Sequence, residues 1–129
     1  MPKQFIALVS ERSAFQETAL RVVDRGLFDR PIVVTSADFR FVVADQLRQI
    51  GVAADIVLEP SRRDSGPAVA VATALGLDRS ADALLLVLAS DHVVGQVDRF
   101  RQALHQLLRW RNAILTAYLR KFRHHIATF

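Results

Sequence analysis

Between Phe5 and Val94, short apolar runs alternate with stretches of helical spacing, the pattern left by the strands and helices of an α/β domain. Four strand–helix pairs can be read. Residues 5–9 (FIALV) form the first apolar run. Ser13 and Gln16 then stand at the spacing of a helix-opening capping box, with Phe15, Ala19, Leu20 and Val23 behind them and Gly26 as the stop. Residues 31–35 (PIVVT) are the best strand. Ser36 or Asp38 can cap the helix after it, in which Phe41, Ala44, Leu47 and Ile50 recur before Gly51 ends it. Residues 55–58 (DIVL) are a third strand, followed by a polar loop over 59–66. Pro67 falls where a first helical turn accepts proline, and an Ala/Val-rich helix runs on to Leu77. Residues 83–88 are the most apolar run and predict a strand buried on both faces.

Strand–helix–strand units with short connections predict a Rossmann-like, mostly parallel sheet with right-handed crossovers and flanking helices. Ligands of such sheets sit beyond the carboxyl ends of the strands. Polar residues follow strands directly at Thr35-Ser36, in the loop 59–67 and at Ser90-Asp91-His92. After Gly95 there is no Gly or Pro. Phe100, Leu104 and Leu107, then Ile114, Tyr118, Phe122 and Ile126, keep a helical stripe that Arg111 interrupts, so residues 96 to about 119 predict one long helix or two. The first part of it, residues 96–107, is expected to pack on the sheet.

A length of 129 residues, 51% of them hydrophobic, suits one compact domain with a core. The chain has no cysteine, hence no disulfide or thiolate metal site, which suits a reducing cytosol and sets cytoplasmic as the expected location. No segment approaches the roughly 20 apolar residues of a membrane span, and the N-terminus does not read as a secretory signal. The net charge of +4 is unevenly placed. Residues 1–108 hold 12 Lys+Arg and 13 Asp+Glu, a balance of −1, whereas residues 109–129 hold five cations (Arg109, Arg111, Arg120, Lys121, Arg123) and no acid. A mixed-sign body argues against nucleic acid as a partner, since phosphate backbones are held by clustered cations. The expected division is therefore a body, residues 1–108, and a basic helical tail, residues 109–129. His124-His125 is too short to read as a metal site.

Four blocks in order carry a family resemblance across residues 2–108. They are Pro2-Lys3-Gln4-Phe5; Ser13-Ala14-Phe15-Gln16-Glu17-Thr18 with Arg21; Leu58-Glu59-Pro60 running to Arg63-Asp64-Ser65-Gly66-Pro67-Ala68; and Ser90-Asp91-His92-Val93. The chain resembles the mannose-1-phosphate guanylyltransferases, a group of sugar-1-phosphate nucleotidyltransferases. The resemblance implies the partners GTP and a sugar 1-phosphate. These join by in-line attack on the α-phosphorus to give GDP-mannose and pyrophosphate, with Mg2+ offsetting charge. It implies Lys3 and Asp91 as catalytic residues, Asp91 as the magnesium ligand, and Arg63, Asp64 and Ser65 beside the nucleotide. A lysine is a compact cation for a phosphate, and a carboxylate at a strand end is a hard oxygen ligand for magnesium.

The departures are equally specific. In the family a first strand and a glycine-rich phosphate loop should precede Pro2, where only Met1 stands, and the usual Asn-Thr-Ala is here Asp64-Ser65-Gly66, which exchanges an amide donor for a negative charge. The resemblance implies a domain truncated at both ends, with weak or no activity of its own. That first strand is central in the family's sheet, between the strands matching residues 31–35 and 83–88. A gap there leaves buried backbone groups unpaired, so residues 5–9 are expected to slide into that place, or the tail or a partner chain to cover the exposed edges. Other readings stand beside these: Asp91 as the cap of a turn, Arg62-Arg63 as a solvated loop pair, and Lys3 as a solvated residue at a frayed end. In a second functional reading the body is a scaffold, and the basic C-terminal helix serves self-association or anionic partners.

Overall fold

A computed structural model describes residues 2–7, 11–60, 65–92, 94–115 and 124–128, with side chains except at Ser65 and from Trp110 onward. Its order is a short 3₁₀ turn Lys3–Phe5, α1 Ala14–Leu20, β1 Ile32–Ser36, a second 3₁₀ turn Ala37–Phe39, α2 Arg40–Gln49, β2 Asp55–Glu59, α3 Ser65–Arg79, β3 Leu84–Leu88, α4 Val97–Leu115 and β4 His124–Thr128. The four strands form one parallel sheet in the order β2-β1-β4-β3. All carboxyl ends therefore lie along one rim, as expected of a Rossmann-like α/β sheet.

Local chemistry explains most boundaries. Ser13 Oγ accepts from the Gln16 amide while the Gln16 side chain accepts from the Ser13 amide, which closes the predicted capping box on α1. At the far end of α2, Gly51 adopts a φ of +67°, and the amides of Gly51 and Val52 donate to Arg48 and Leu47. That pair of bonds is a Schellman stop, and the left-handed φ is the reason a glycine stands there. Pro67 lies in the first turn of α3 as predicted.

The core has two sides. On one, Phe5, Phe15, Ala19, Val33, Val43 and Leu47 form a single buried cluster beneath α1 and α2. On the other, Ala68 and Ala72 of α3 are buried against Ile32 and Val34, with Val57 and Leu85 packed alongside. Two alanines on the buried stripe let the helix approach β1 closely, and full burial of Ile32 alone contributes roughly 1.5–3 kcal/mol. A third cluster of Val22, Leu27 and Phe28 packs against Leu86 and Leu88 of β3 and Leu104 and Leu108 of α4.

Several sequence expectations are corrected. Lys3–Phe5 is a 3₁₀ turn, and Ile6 and Ala7 are not in a strand; Leu8 and Val9 lie outside the described residues. Phe5 is drawn instead into an aromatic cluster, 5.6 Å edge-on from Phe15 and 5.5 Å from Phe39 between ring centroids. Gly26 is not the stop of α1, because the helix ends at Leu20 with Arg21 as its cap. Ser36 precedes the second 3₁₀ turn but makes no capping bond, and its buried Oγ has no partner among the described residues. β3 is half-buried, with Val87 42% exposed, because it is an edge strand whose Leu86 and Leu88 pack on one face against Val22, Leu27 and Phe28. On α4, Leu104 and Leu108, one turn apart, pack on Val22, Leu27 and Phe28, while Leu107 is 64% exposed.

The tail is helical only in part. α4 passes residue 108 without a break and reaches Leu115, yet His124–Thr128 is a strand. It lies between β1 and β3, parallel to both, with five register pairs to β3 and with Ile32 opposite Ala127 and Val33 opposite Thr128 on β1. The tail, expected at most to cover exposed edges, thus fills the central gap itself. Pairing the buried backbone groups of β1 and β3 outweighs the helical spacing that Ile126 continues.

Candidate functional site

The first contributor is the turn carrying Lys3. Phe5 is 6% exposed, and Gln46 Nε2 donates to the Phe5 carbonyl at 2.9 Å. Gln46 is itself held by α1, since its Oε1 accepts from Ser13 Oγ at 2.6 Å and its backbone carbonyl from Gln16 Nε2 at 3.2 Å. The backbone two residues after Lys3 is therefore tied to α2 and through it to α1, so the turn is anchored where a frayed end was expected. The Lys3 side chain itself is 76% exposed.

The second contributor is the turn after β3. Ser90 is buried, the His92 amide donates to the Ala89 carbonyl at 3.4 Å, and the Asp91 side chain stands 42% exposed at the rim. Lys3 Nζ lies 3.8 Å from Asp91 Oδ2, and His92 Nε2 lies 3.9 Å from Asp91 Oδ1. An ion pair this long and this exposed contributes roughly 0–1 kcal/mol. Its interest is positional, because residues 88 positions apart set a cation and a carboxylate side by side where the strands end.

A third group was quoted in the sequence blocks without a role. Arg21, 5% exposed at the end of α1, donates from Nη2 to the His92 carbonyl at 2.8 Å. Burial lowers its guanidinium pKa from the usual value, and the negative charge of Glu17 one turn earlier opposes that shift. No periodicity or spacing reveals a buried arginine whose acceptor is a backbone carbonyl 71 residues away.

The other predicted site residues are only partly placed. Ser65 opens α3, which follows the carboxyl end of β2, so its backbone is at the rim; Arg63 and Asp64 lie outside the described residues. Between β1 and β3 stands one strand, a separation of about 10 Å at ordinary strand spacing. Thr35-Ser36 and Ser90-Asp91-His92 thus face one ligand-sized stretch of rim.

Among the described residues no three His, Asp or Glu side chains gather into a metal site. Magnesium commonly takes one or two protein carboxylates and fills its remaining positions with phosphate oxygens and water. Asp91, partly exposed on the rim and paired only loosely with Lys3 and His92, fits that mode. Among the described residues, no helix is long and apolar enough to cross a membrane.

The family described as Nucleotidyl transferase matches residues 1–125, and the chain belongs to that family. The match continues past residue 108, where the sequence resemblance stopped. A mannose-1-phosphate guanylyltransferase of Sinorhizobium fredii is 46% identical over 102 residues, covering 78% of this chain and 20% of the relative. The xanthan biosynthesis protein XanB of Xanthomonas campestris is 45% identical over 103 residues, covering 79% and 22%. A mannose-1-phosphate guanylyltransferase of Escherichia coli is 37% identical over 116 residues, covering 87% and 24%. The chain thus spans about a fifth to a quarter of the length of these relatives. No solved structure matches it significantly.

Proposed function

We propose that these 129 residues form part of the nucleotide- and metal-binding rim of a mannose-1-phosphate guanylyltransferase. The reaction is that of mannose 1-phosphate with GTP to give GDP-mannose and pyrophosphate, in the cytoplasm. The observation that carries this reading is the meeting of Lys3 and Asp91 at the carboxyl ends of a parallel sheet. The names of the relatives support the choice of sugar and base.

In this reading Lys3 binds a phosphate oxygen of the nucleotide, a role suited to a compact, exposed ammonium group on a fixed turn. Asp91 gives its carboxylate to magnesium, which supplies neutralisation of charge on the polyphosphate when bound. The two side chains neutralise one another until the nucleotide and its cation replace each as the other's partner. The backbone of Ser65 offers the amino end of α3 to the nucleotide, and Arg63 and Asp64 are assigned beside it. No proton needs to be removed by a strong base, so His92 has no assigned role. Self-association through the edge of β3, where Val87 is exposed, is a further part of this proposal.

Titration calorimetry of the whole 129-residue chain with GTP and Mg2+ tests the reading. Saturable, magnesium-dependent heat is expected, and Asp91→Ala should remove the magnesium dependence while leaving the unfolding midpoint in place. The absence of heat at millimolar nucleotide removes the reading.

A further inference from the structure

Burying an arginine is costly, because a charge taken out of water loses its hydration and depends on its partners to make that good. Arg21 is 5% exposed; the negative charge of Glu17 one turn earlier offsets part of that cost, and the guanidinium's hydrogen bond to the rim goes to a peptide carbonyl. The placement makes sense when the carbonyl is the thing being held. It belongs to His92, the residue next to Asp91.

The turn is gripped on both sides of Asp91. Before it, Ser90 is buried at 6% exposure; after it, the His92 carbonyl receives Arg21 Nη2 at 2.8 Å. From this turn the side chains of Asp91 and His92 project, 42% and 77% exposed. Arg21 is in turn held in place. Its own side of the bond is the C-cap of α1, and Arg101 of α4 reaches the Arg21 and Leu20 carbonyls at 3.5 and 3.4 Å. Those are among the terminal carbonyls that a helix cannot satisfy internally. α4 therefore secures the end of α1, and α1 secures the turn.

We propose that Arg21 is the positioning residue for Asp91, fixing the Ala89–His92 turn through the His92 carbonyl so that the carboxylate is presented to a cation-bound polyphosphate that Arg21 itself never touches. The inference rests on the proposed function for the identity of that ligand, and on the structure alone for the positioning. Lysine is a poor substitute, because its ammonium is strongly hydrated and lacks the planar fork. Methionine fills similar space and donates nothing.

The test uses the full chain as wild type, Arg21→Met and Arg21→Lys. Without ligand, amide hydrogen exchange is followed residue by residue by NMR. Arg21→Met should speed exchange at the His92 amide at least about tenfold while amides of α2 and β2 keep their rates; a general role in folding would accelerate all of them together. With ligand, the gain in GTP affinity on adding Mg2+ is measured. Groups that orient a metal ligand typically change metal affinity about 10- to 100-fold, so Arg21→Met should lose that gain by about tenfold or more and leave magnesium-free affinity unchanged. Arg21→Lys should recover part of it, and it also serves as the readable variant if Arg21→Met does not fold. An unchanged His92 rate, or uniform acceleration throughout the chain, overturns the positioning role. If wild type shows no magnesium-dependent binding, the nucleotide reading fails, while the exchange pattern still decides whether Arg21 holds the turn.

Discussion

Ser13 shows how much one small side chain decides here. Its hydroxyl accepts the Gln16 amide at 3.1 Å and donates to Gln46 Oε1 at 2.6 Å, so one group starts α1 and ties it to α2. Replacing a capping serine by alanine costs about 0.5–2 kcal/mol, and losing the hydrogen bond to the half-buried Gln46 oxygen adds about 0.5–1.5 kcal/mol. Ser13→Ala should therefore destabilise the chain by about 1–3.5 kcal/mol in urea unfolding. A loss of only a few tenths would mean that the link to Gln46 is not formed in solution. Because Gln46 Nε2 also donates to the Phe5 carbonyl, the same change should loosen the turn under Lys3. Half of this was legible in advance. Ser13 and Gln16 are three residues apart, and local spacing announces a capping box. The partnership with Gln46, 33 residues away, is a product of helix packing that no local pattern encodes.

At the scale of elements, the central position of β4 makes the sharpest prediction. Ala127 stands opposite Val87 on one neighbour and Ile32 on the other, so its amide lies within the ladder whichever way it points. Ala127→Pro removes that donor from an interior strand and should cost about 3 kcal/mol or more, whereas Ala127→Ser keeps it and should cost far less. Equal effects of the two in denaturant unfolding would place the segment outside the sheet. The strands β1 and β2 and the helices α2 and α3 were legible within a residue or two, because alternating apolar runs, Gly51 and Pro67 are local signals. What escaped were the two ends. Residues 5–9 have strand composition, yet Phe5 gains more from the rings of Phe15 and Phe39 than from pairing. His124–Thr128 continues a helical stripe, and only the vacancy between two distant strands selects the extended form. Both outcomes are tertiary overrides of local preference. The site followed the same division: strand ends marked the rim at Ser36 and Asp91, while Arg21 emerged only from the fold.

For the molecule as a whole, the two faces of the sheet are unequally covered. Parallel sheets are normally buried on both sides. Here α1, α2 and α4 contribute to one side, while among the described helices α3 supplies the cluster on the other, against Ile32, Val34, Val57 and Leu85. Val87 lies on the side of Leu85, two residues on, and is 42% exposed on a strand with no described neighbour on its outer edge. Val71, Leu75 and Leu77 of α3 are also exposed, at 44, 36 and 50%. An uncharged apolar edge strand is a template for pairing with another chain, and a lysine on it is the common natural safeguard. The wild-type chain should therefore self-associate as its concentration rises through the micromolar range in sedimentation velocity. Val87→Lys should return it to a single slow species. Because the position is already partly in water, the substitution should shift the unfolding midpoint little, by an equivalent of about 0.5 kcal/mol or less. Association that survives Val87→Lys but disappears on removing residues 109–129 would move the contact to the basic tail, where five cations and no acid make a different kind of surface. The two can also be told apart by salt, since contacts made by exposed charges weaken as the screening length falls to about 8 Å and below, while burial of Val87 does not depend on it.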